Sequence, residues 1–365
     1  FYKNFKIYLN SDGKISYKPF PKPHLLVENA SLNLSKSLDN SDFTKTSNLK
    51  IFISLRDLYL GSFDNFVSVE ISDTNLDFKI SEIKEIRKHL YKKVNKPIQF
   101  NNCIVFIRNK SGDVILISPI KKIMYKINKK NKIKNLLING KVFGLDYKSN
   151  WKRSYITPDL SFHDINLFNP NIEIKNFLKF ENNNKFSGKS QISYAQDKLE
   201  YNILFDNDKI IVSSPSNEKI NFNMNSKMQL KPFYFEGELT IKNKKVEKII
   251  DNILLKLLLY DESYLGNFEG LFKIKFDDLN NKLIKSGEID FIVNEKKIIV
   301  NEAKFKLDKI GYIHTNMSFF EDKGDIKFKS KNILYIENHI EFAKSFQVGS
   351  KKIKYIKQVN FDLIK

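Results

Sequence analysis

The side chains that most often carry chemistry are scattered in this sequence. No histidine belongs to an HExxH zinc-protease arrangement, and neither a glycine-rich phosphate loop nor a Gly-x-Ser-x-Gly nucleophile elbow occurs. Ser-x-x-Lys occurs, for example at Ser47, Ser81 and Ser118, but Lys is so frequent that chance accounts for such matches. We therefore predict a protein that is not an enzyme, with no catalytic residue, metal site or cofactor. The five isolated histidines are expected on the surface or in loops: His24, His89, His163, His314 and His339.

Cysteine usage and hydropathy narrow the class of protein only a little further. The single cysteine, Cys103, cannot form an internal disulfide and belongs to no CxxC pair. No stretch approaches the roughly 20 apolar residues that span a bilayer. The longest apolar run, residues 253–260, is interrupted by Lys256. Because the sequence begins with Phe1 rather than Met, we expect the intact precursor to carry an upstream leader or membrane anchor.

The elements that position these side chains are predicted to be β-strands. The chain has 365 residues, of which 31 are Phe and 16 are Tyr, whereas only four are Ala. A sequence that lacks the best helix former and is rich in aromatic residues favours strands. The formal net charge is +20, yet only four of the 62 basic residues are Arg. Nucleic-acid readers prefer the planar fork of Arg, so scattered Lys on solvated sheet faces is the simpler explanation.

Alternation of apolar and polar residues with a period of two dominates the sequence. Short polar turns such as residues 206–209 and 321–324 separate the runs, which is typical of antiparallel meanders. We expect about 20 strands of ordinary length. The clearest runs have apolar residues at 49, 51, 53 and 55, at 199, 201, 203 and 205, at 233, 235, 239 and 241, and at 289, 291 and 293.

Two further sequence patterns bear on the shape of the sheet. Five segments begin with Gly and continue into a strand, at Gly112, Gly237, Gly270, Gly287 and Gly324. Such glycines mark either a bend of the sheet or an ordinary turn. Two amphipathic helices are predicted at residues 81–93 and 246–260, where apolar residues recur at helical spacing. Each helix either covers the sheet as part of the core or, for the second above all, lies on a membrane surface.

The amount of apolar strand surface suggests a binding function. About 20 strands would make a sheet ~95 Å long, and two short helices cannot cover one whole face of it. Such a sheet closes into a sandwich, which is the ordinary outcome, or curls into a trough whose lining needs another occupant. The candidate lining residues, each of which could equally belong to a closed core, are Phe222, Met224, Phe233, Phe235, Leu239, Ile241, Phe272, Ile274, Phe276, Phe291, Val293, Phe305, Leu307 and Phe328.

Several segments resemble the AsmA-like envelope proteins, the bacterial bridge-like β-groove lipid-transport family. The stretch 95–114 is similar to their strand-turn-strand unit, with the polar turn at 108–113. Residues 134–142 are similar to their recurring Leu-x-Ile-x-Gly strand, although Leu136 and Ile138 here precede Gly140. Residues 21–30 resemble the early strand after the anchor, and residues 233–365 resemble family members from small-genome bacteria.

The resemblance implies a fold and a function together. The expected fold is mainly β: an elongated, curved antiparallel sheet forming a hydrophobic groove, with two short amphipathic helices. Residues 1–150 would form the N-terminal region and residues 151–365 would continue the same sheet. The family implies a periplasmic protein, anchored in the inner membrane, that carries glycerophospholipid toward the outer membrane and supports outer-membrane assembly.

Two alternatives remain open at the level of sequence. A closed β-sandwich without lipid cargo would make this a structural or interaction protein of the envelope. A basic nucleic-acid binder is disfavoured, and its binding would fall steeply with salt.

Overall fold

The computed structural model describes residues 1–33, 44–61, 66–79, 82, 86, 89–90, 93–109, 111–142, 144–168, 171–182, 185–194, 197–215, 222–230, 233–242, 269–277, 279, 283–294, 297–322, 325–349 and 355–364. These residues form one long, open, curved β-sheet of 22 strands, accompanied by three short helices. The predicted mainly β fold with an open, curved sheet is confirmed. A single open layer also means that the alternative of a closed sandwich is wrong for the described chain.

The elements follow one another along the chain with short connections. The three helices are α1 (Tyr2–Phe5), α2 (Leu55–Tyr59) and α3 (His339–Ser345). The strands are β1 (Tyr8–Ser11), β2 (Ile15–Lys18), β3 (His24–Asn33), β4 (Thr44–Ile53), β5 (Phe66–Lys79), β6 (Ile98–Arg108), β7 (Val114–Asn128), β8 (Ile133–Val142), β9 (Leu145–Ser154), β10 (Leu160–Phe168), β11 (Ile172–Phe180), β12 (Lys185–Tyr194), β13 (Asp197–Asp206), β14 (Lys209–Ser213), β15 (Phe222–Leu230), β16 (Phe233–Lys242), β17 (Gly270–Asp277), β18 (Ile284–Asn294), β19 (Lys297–Leu307), β20 (Gly311–Asp322), β21 (Asp325–Ile336) and β22 (Gln358–Ile364).

Strands that are consecutive in sequence are neighbours in the sheet. β1 and β2 pair end to end with the same side of β3, and each later strand pairs with the next. Position 150, where the two predicted regions meet, lies inside β9, and the sheet continues through it. All neighbouring pairs are antiparallel except β5 with β6 and β16 with β17, which are parallel. The sheet is therefore mostly antiparallel, with two parallel steps that the predicted antiparallel meanders did not include.

The two parallel steps coincide with the two predicted helices. A parallel pair needs a crossover that returns the chain to the other end of the sheet, and a helix is the usual form of that crossover. In the first crossover the described residues Glu82, Ile86, His89 and Leu90 are helical, and the Lys93 N–H donates to the His89 carbonyl at 2.8 Å. The second predicted helix, residues 246–260, lies outside the described residues.

Register gives the sheet one apolar face and one polar face. Partners such as Phe272 and Phe291 share one face, and their neighbours Lys273 and Asp290 share the other. On the polar face Lys275 pairs with Glu238 at 2.8 Å, and Lys273 pairs with Asp290 at 3.2 Å. Surface pairs of this kind contribute little to stability, so the apolar face supplies most of the folding energy.

Residues with positive φ and glycines shape the sheet. Asn29, Asp73 and Asn102 have φ near +50° on β3, β5 and β6. The register of pairing is the same before and after each of them, but the alternation of buried side chains shifts there by one position. Gly237 lies in mid-strand, and a Cβ there would meet the rings of Phe235 and Phe272 at 2.8 and 3.0 Å.

The two explanations offered for the repeated glycines both apply, at different positions. Gly287, like Gly237, lies within a strand and faces a phenyl ring, in this case that of Phe305. Gly270 opens β17, whereas Gly112 has φ +97° in the turn between β6 and β7. Gly324 lies outside the described residues. The strand glycines make room for neighbouring rings where the sheet curves, and Gly112 serves a turn.

Candidate functional site

Short elements cover the apolar face at the two ends of the sheet. At the first end, Phe5 of α1 and Val94 of the first crossover pack with strand residues such as Leu49 and Ile71. The Tyr125 hydroxyl donates to the Leu90 carbonyl at 2.8 Å and fixes the crossover on this face. At the last end, α3 contributes two buried side chains to a second cluster; these are Phe342 and Ala343.

The middle of the apolar face has a different character. From β8 to β16 most of its apolar side chains are only half-buried. The sheet curves toward this face, since Leu199 of β13 packs against the cluster formed by β16–β19. A curved apolar surface of half-buried side chains is a concave site for an apolar ligand.

Register places all fourteen predicted lining residues on this apolar face. Six of them are half-buried and available to a ligand: Met224, Phe235, Leu239, Phe272, Val293 and Phe305. Five others are buried within the clusters of the sheet: Ile241, Ile274, Phe276, Phe291 and Leu307. For the remaining three, Phe222, Phe233 and Phe328, the backbone pairing is described and the side chains are not.

Two rows of phenyl rings cross the strands of the apolar face. The rings of Phe235, Phe272 and Phe291 follow one another at centroid distances of 6.1 and 6.5 Å. A second row, which sequence reasoning missed, lies on β11–β13, where the rings of Phe186 and Phe205 stack at 4.8 Å. These rows give the apolar face a nearly continuous aromatic lining at two places along its length.

A row of polar side chains interrupts the apolar face on β9–β13. Register aligns five residues across these strands, namely Trp151, His163, Asn176, Ser190 and Tyr201. At ~4.8 Å per strand the row is about 19 Å long. On β11–β13 apolar residues flank it on both sides, with Ile174 on one side and Leu178 and Ile203 on the other, whereas on β9 and β10 the second side carries Arg153 and Ser161. The apolar surface is thus divided into two tracks on β11–β13.

The chemistry of the polar row is that of neutral hydrogen bonding. Ser149 and His163 are joined at 2.7 Å between Oγ and Nε2, and Trp151 stacks on the His163 ring at 4.7 Å. Burial lowers the pKa of His163 to about 4, so its ring is neutral near pH 7. The next residue, Asp164, lies on the opposite face and pairs with Lys152. Ser149 and His163 therefore form a neutral hydrogen-bonded pair beside the Trp151 ring.

The other residues singled out for chemistry are held inside the fold. His24 and His89 are buried, so the expectation that they lie at the surface or in loops is wrong for both. The pKa of His89 is lowered by burial. Cys103 is also buried, and the loss of solvation raises the pKa of its thiol to about 11. A thiol with so high a pKa is a poor nucleophile, so Cys103 serves packing rather than redox chemistry.

Besides the apolar face, the described chain has a cavity on the opposite face of the sheet. This cavity of about 530 Å³ lies at β14–β18, lined mostly by polar-face residues including Leu271, Lys273 and Asp290. Two of its charged groups, Lys273 and Asp290, pair with each other at 3.2 Å. No group of three or more His, Cys, Asp or Glu side chains capable of holding a metal ion occurs among the described residues.

Within the described part of the chain, no helix combines the length and hydropathy needed to cross a membrane. The chain matches no protein-family model and no curated protein sequence. The resemblance to the AsmA-like proteins therefore depends on the sequence features alone.

Proposed function

We propose that this protein is a non-enzymatic lipid-binding protein that conducts glycerophospholipid along the apolar face of its sheet. The observation that carries the proposal is the half-buried apolar middle of that face, between ends that are covered by α1, the first crossover and α3. An apolar surface of this length is unfavourable in water, and a ligand made of methylene groups removes that cost.

The energetics favour acyl chains that bind firmly but can still slide. Each methylene moved from water onto the face contributes ~0.8 kcal/mol. Neighbouring strands offer similar Phe, Ile and Leu side chains, so a chain displaced by one strand keeps nearly the same contacts. Lipid therefore moves along the face without a chemical step, while its headgroup stays in water on the open side of the face.

The polar row fits a lipid that has two chains. The rows containing Ile174 and Leu178 run on either side of Asn176. One acyl chain on each track would leave the uncharged glycerol ester region above the polar row. The neutral hydrogen-bonding groups of the row suit an ester better than they would suit an ionised phosphate.

The cellular setting follows from the sequence resemblance. We place the protein in the bacterial periplasm, with the precursor anchored in the inner membrane, where it would move phospholipid between the two membranes and support outer-membrane assembly. A structural role without lipid is the second candidate, and the covered ends of the sheet are compatible with it.

Extraction of the purified protein in organic solvent, followed by mass spectrometry, tests the proposal. We expect glycerophospholipid in defined stoichiometry and its displacement by a fluorescent fatty acid. A protein that is lipid-free after detergent-free purification and that fails to bind the fluorescent fatty acid has the structural role instead. Salt-sensitive DNA binding in place of lipid binding would point to the nucleic-acid alternative.

A further inference from the structure

One stretch of strand ends, here named the N-terminal rim, carries exposed apolar side chains. The rim comprises residues 17–23, 54–61, 128–132 and 155–159. These segments lie at one edge of the sheet because β3 starts where β4 ends, and β8 starts where β9 ends. The Ile53 N–H also donates to the Pro23 carbonyl at 3.0 Å, which brings the first two segments together.

Helix α2 is the main feature of the rim. Ser54 caps it, since its side chain accepts a hydrogen bond from the Asp57 N–H, yet the helix buries no side chain at all. Leu55 and Tyr59, four residues apart on one helical face, are 70% and 91% exposed. Helices in proteins gain most of their stability from a buried apolar stripe, so this isolated turn presents a stripe with no protein partner in the described chain.

Other apolar groups on the rim extend the same surface. Phe20 is 83% exposed in the turn between β2 and β3, and Leu60 is exposed just after α2. About 24 Å further along the rim, five strands away, Tyr155 and Ile156 protrude from the loop between β9 and β10. The rim therefore has two apolar projections on one edge of the sheet.

Positive charge lies beside both projections. Six basic residues on the rim outnumber the two acidic ones, Asp57 and Asp159, which gives a net charge of 6 − 2 = +4; the basic residues are Lys18, Lys22, Arg56, Lys129, Lys130 and Lys132. The three lysines of the turn between β7 and β8 stand next to Tyr155, whose N–H donates to the Lys132 carbonyl at 3.1 Å. Exposed Leu, Phe and Tyr mixed with Lys is the composition of a surface that inserts shallowly into anionic lipid.

We propose that the N-terminal rim docks on the surface of an anionic lipid bilayer, with α2 and the 155–159 loop inserted among the headgroups. The proposal concerns where the molecule sits, and it goes beyond the binding of lipid in the apolar face. Docking there would hold the first strands of the apolar face next to a lipid reservoir. The opposite edge of the sheet, where α3 lies, would face away from that bilayer.

Vesicle flotation tests the docking surface. The purified protein is mixed with phosphatidylcholine vesicles that contain or lack phosphatidylglycerol. We expect flotation with the anionic vesicles, weakening as salt rises. The double variant Leu55→Ser with Tyr59→Ser should bind these vesicles about 100-fold more weakly, roughly tenfold for each apolar side chain withdrawn. Replacing the three turn lysines with Gln should remove most of the salt dependence.

Ile340→Ser is the matched control, because Ile340 is 78% exposed on a short helix at the opposite edge. It should float like the wild type. The test is independent of the groove, since a variant that has lost bound lipid, such as Phe272→Asp, should still float. Absence of flotation, equal flotation with uncharged vesicles, or equal loss in Ile340→Ser would overturn the proposal. Unchanged thermal unfolding in the rim variants keeps the result interpretable, as their side chains are exposed.

Discussion

The sharpest prediction compares two adjacent residues of β17. Phe272 is half-buried on the apolar face, whereas Leu271 is exposed on the polar face. If lipid occupies the apolar face, Phe272→Asp should weaken lipid binding by about 50-fold or more, and Leu271→Asp should leave it unchanged. The two variants introduce the same charge one residue apart, so any difference between them reports the face and not the charge.

The expected magnitude follows from the contacts of the Phe272 ring. Three methylenes of an acyl chain on the ring would contribute about 2.4 kcal/mol, so their loss weakens binding roughly 50-fold. The cost of placing a carboxylate against hydrocarbon adds to this loss. Within the protein, Phe272 is only half-buried beside Phe235 and Phe291, so we expect the free energy of unfolding to fall by about 1–2 kcal/mol. The protein should therefore remain folded.

Two measurements on the same preparations decide the outcome. Co-purified phospholipid is quantified by mass spectrometry, and urea unfolding gives the free energy of unfolding. Lipid content in Phe272→Asp equal to that in Leu271→Asp would refute the proposed binding face. Complete unfolding of Phe272→Asp would instead indicate that the ring belongs to a closed core.

Three further predictions concern stability and reactivity. Gly188→Ala should lower the free energy of unfolding, measured by urea titration, by about 2 kcal/mol or more, because the added Cβ would lie 2.1 Å from the Phe177 carbonyl oxygen. Gly349→Ala is the control, since Gly349 has open space around it, and it should be nearly neutral. Burial lowers the pKa of His163 to about 4. As the pH falls from about 6.5 to about 4, the His163 ring therefore takes up a proton only in the unfolded chain. The free energy of unfolding should drop by roughly 3 kcal/mol across that window. His163→Asn should lack this component when urea titrations at about pH 7 and about pH 5 are compared, and an identical pH dependence would contradict the assignment. Cys103, with a raised pKa and a buried side chain, should react with a maleimide only as fast as the protein unfolds, and rapid labelling of the folded protein would be inconsistent with its position.

The sequence predicts the faces of the later strands well, for a physical reason. Wherever the chain alternates without interruption, as in β15–β17, a period of two is sufficient to put Met224, Leu239 and Ile274 on one face. In the first strands the positive φ of Asn29 and Asp73 breaks the period, so the alternation there does not identify the face. Positive φ at a single Asn or Asp has no periodic signature.

Features that depend on register were missed. The members of the polar row, such as His163 and Asn176, lie on different strands and are 13 residues apart, so only pairing brings them together. The parallel steps were missed because alternation is the same in parallel and antiparallel strands. The short helices were missed as well, since a helix of five residues such as α2 cannot display a helical period. The alternation that was expected to continue to Leu55 ends at Ile53, because Ser54 caps α2.

The order of strands has a consequence for how such a molecule can vary. Contacts between strands are largely confined to hydrogen-bonded neighbours, so each hairpin is supported by the hairpins on either side of it. Removing two successive antiparallel strands would shorten the sheet by about 10 Å and rejoin the same two faces in the same orientation. The length of the sheet is therefore set by the number of hairpins, and its width by the length of the strands. Natural selection can change the first without altering the second.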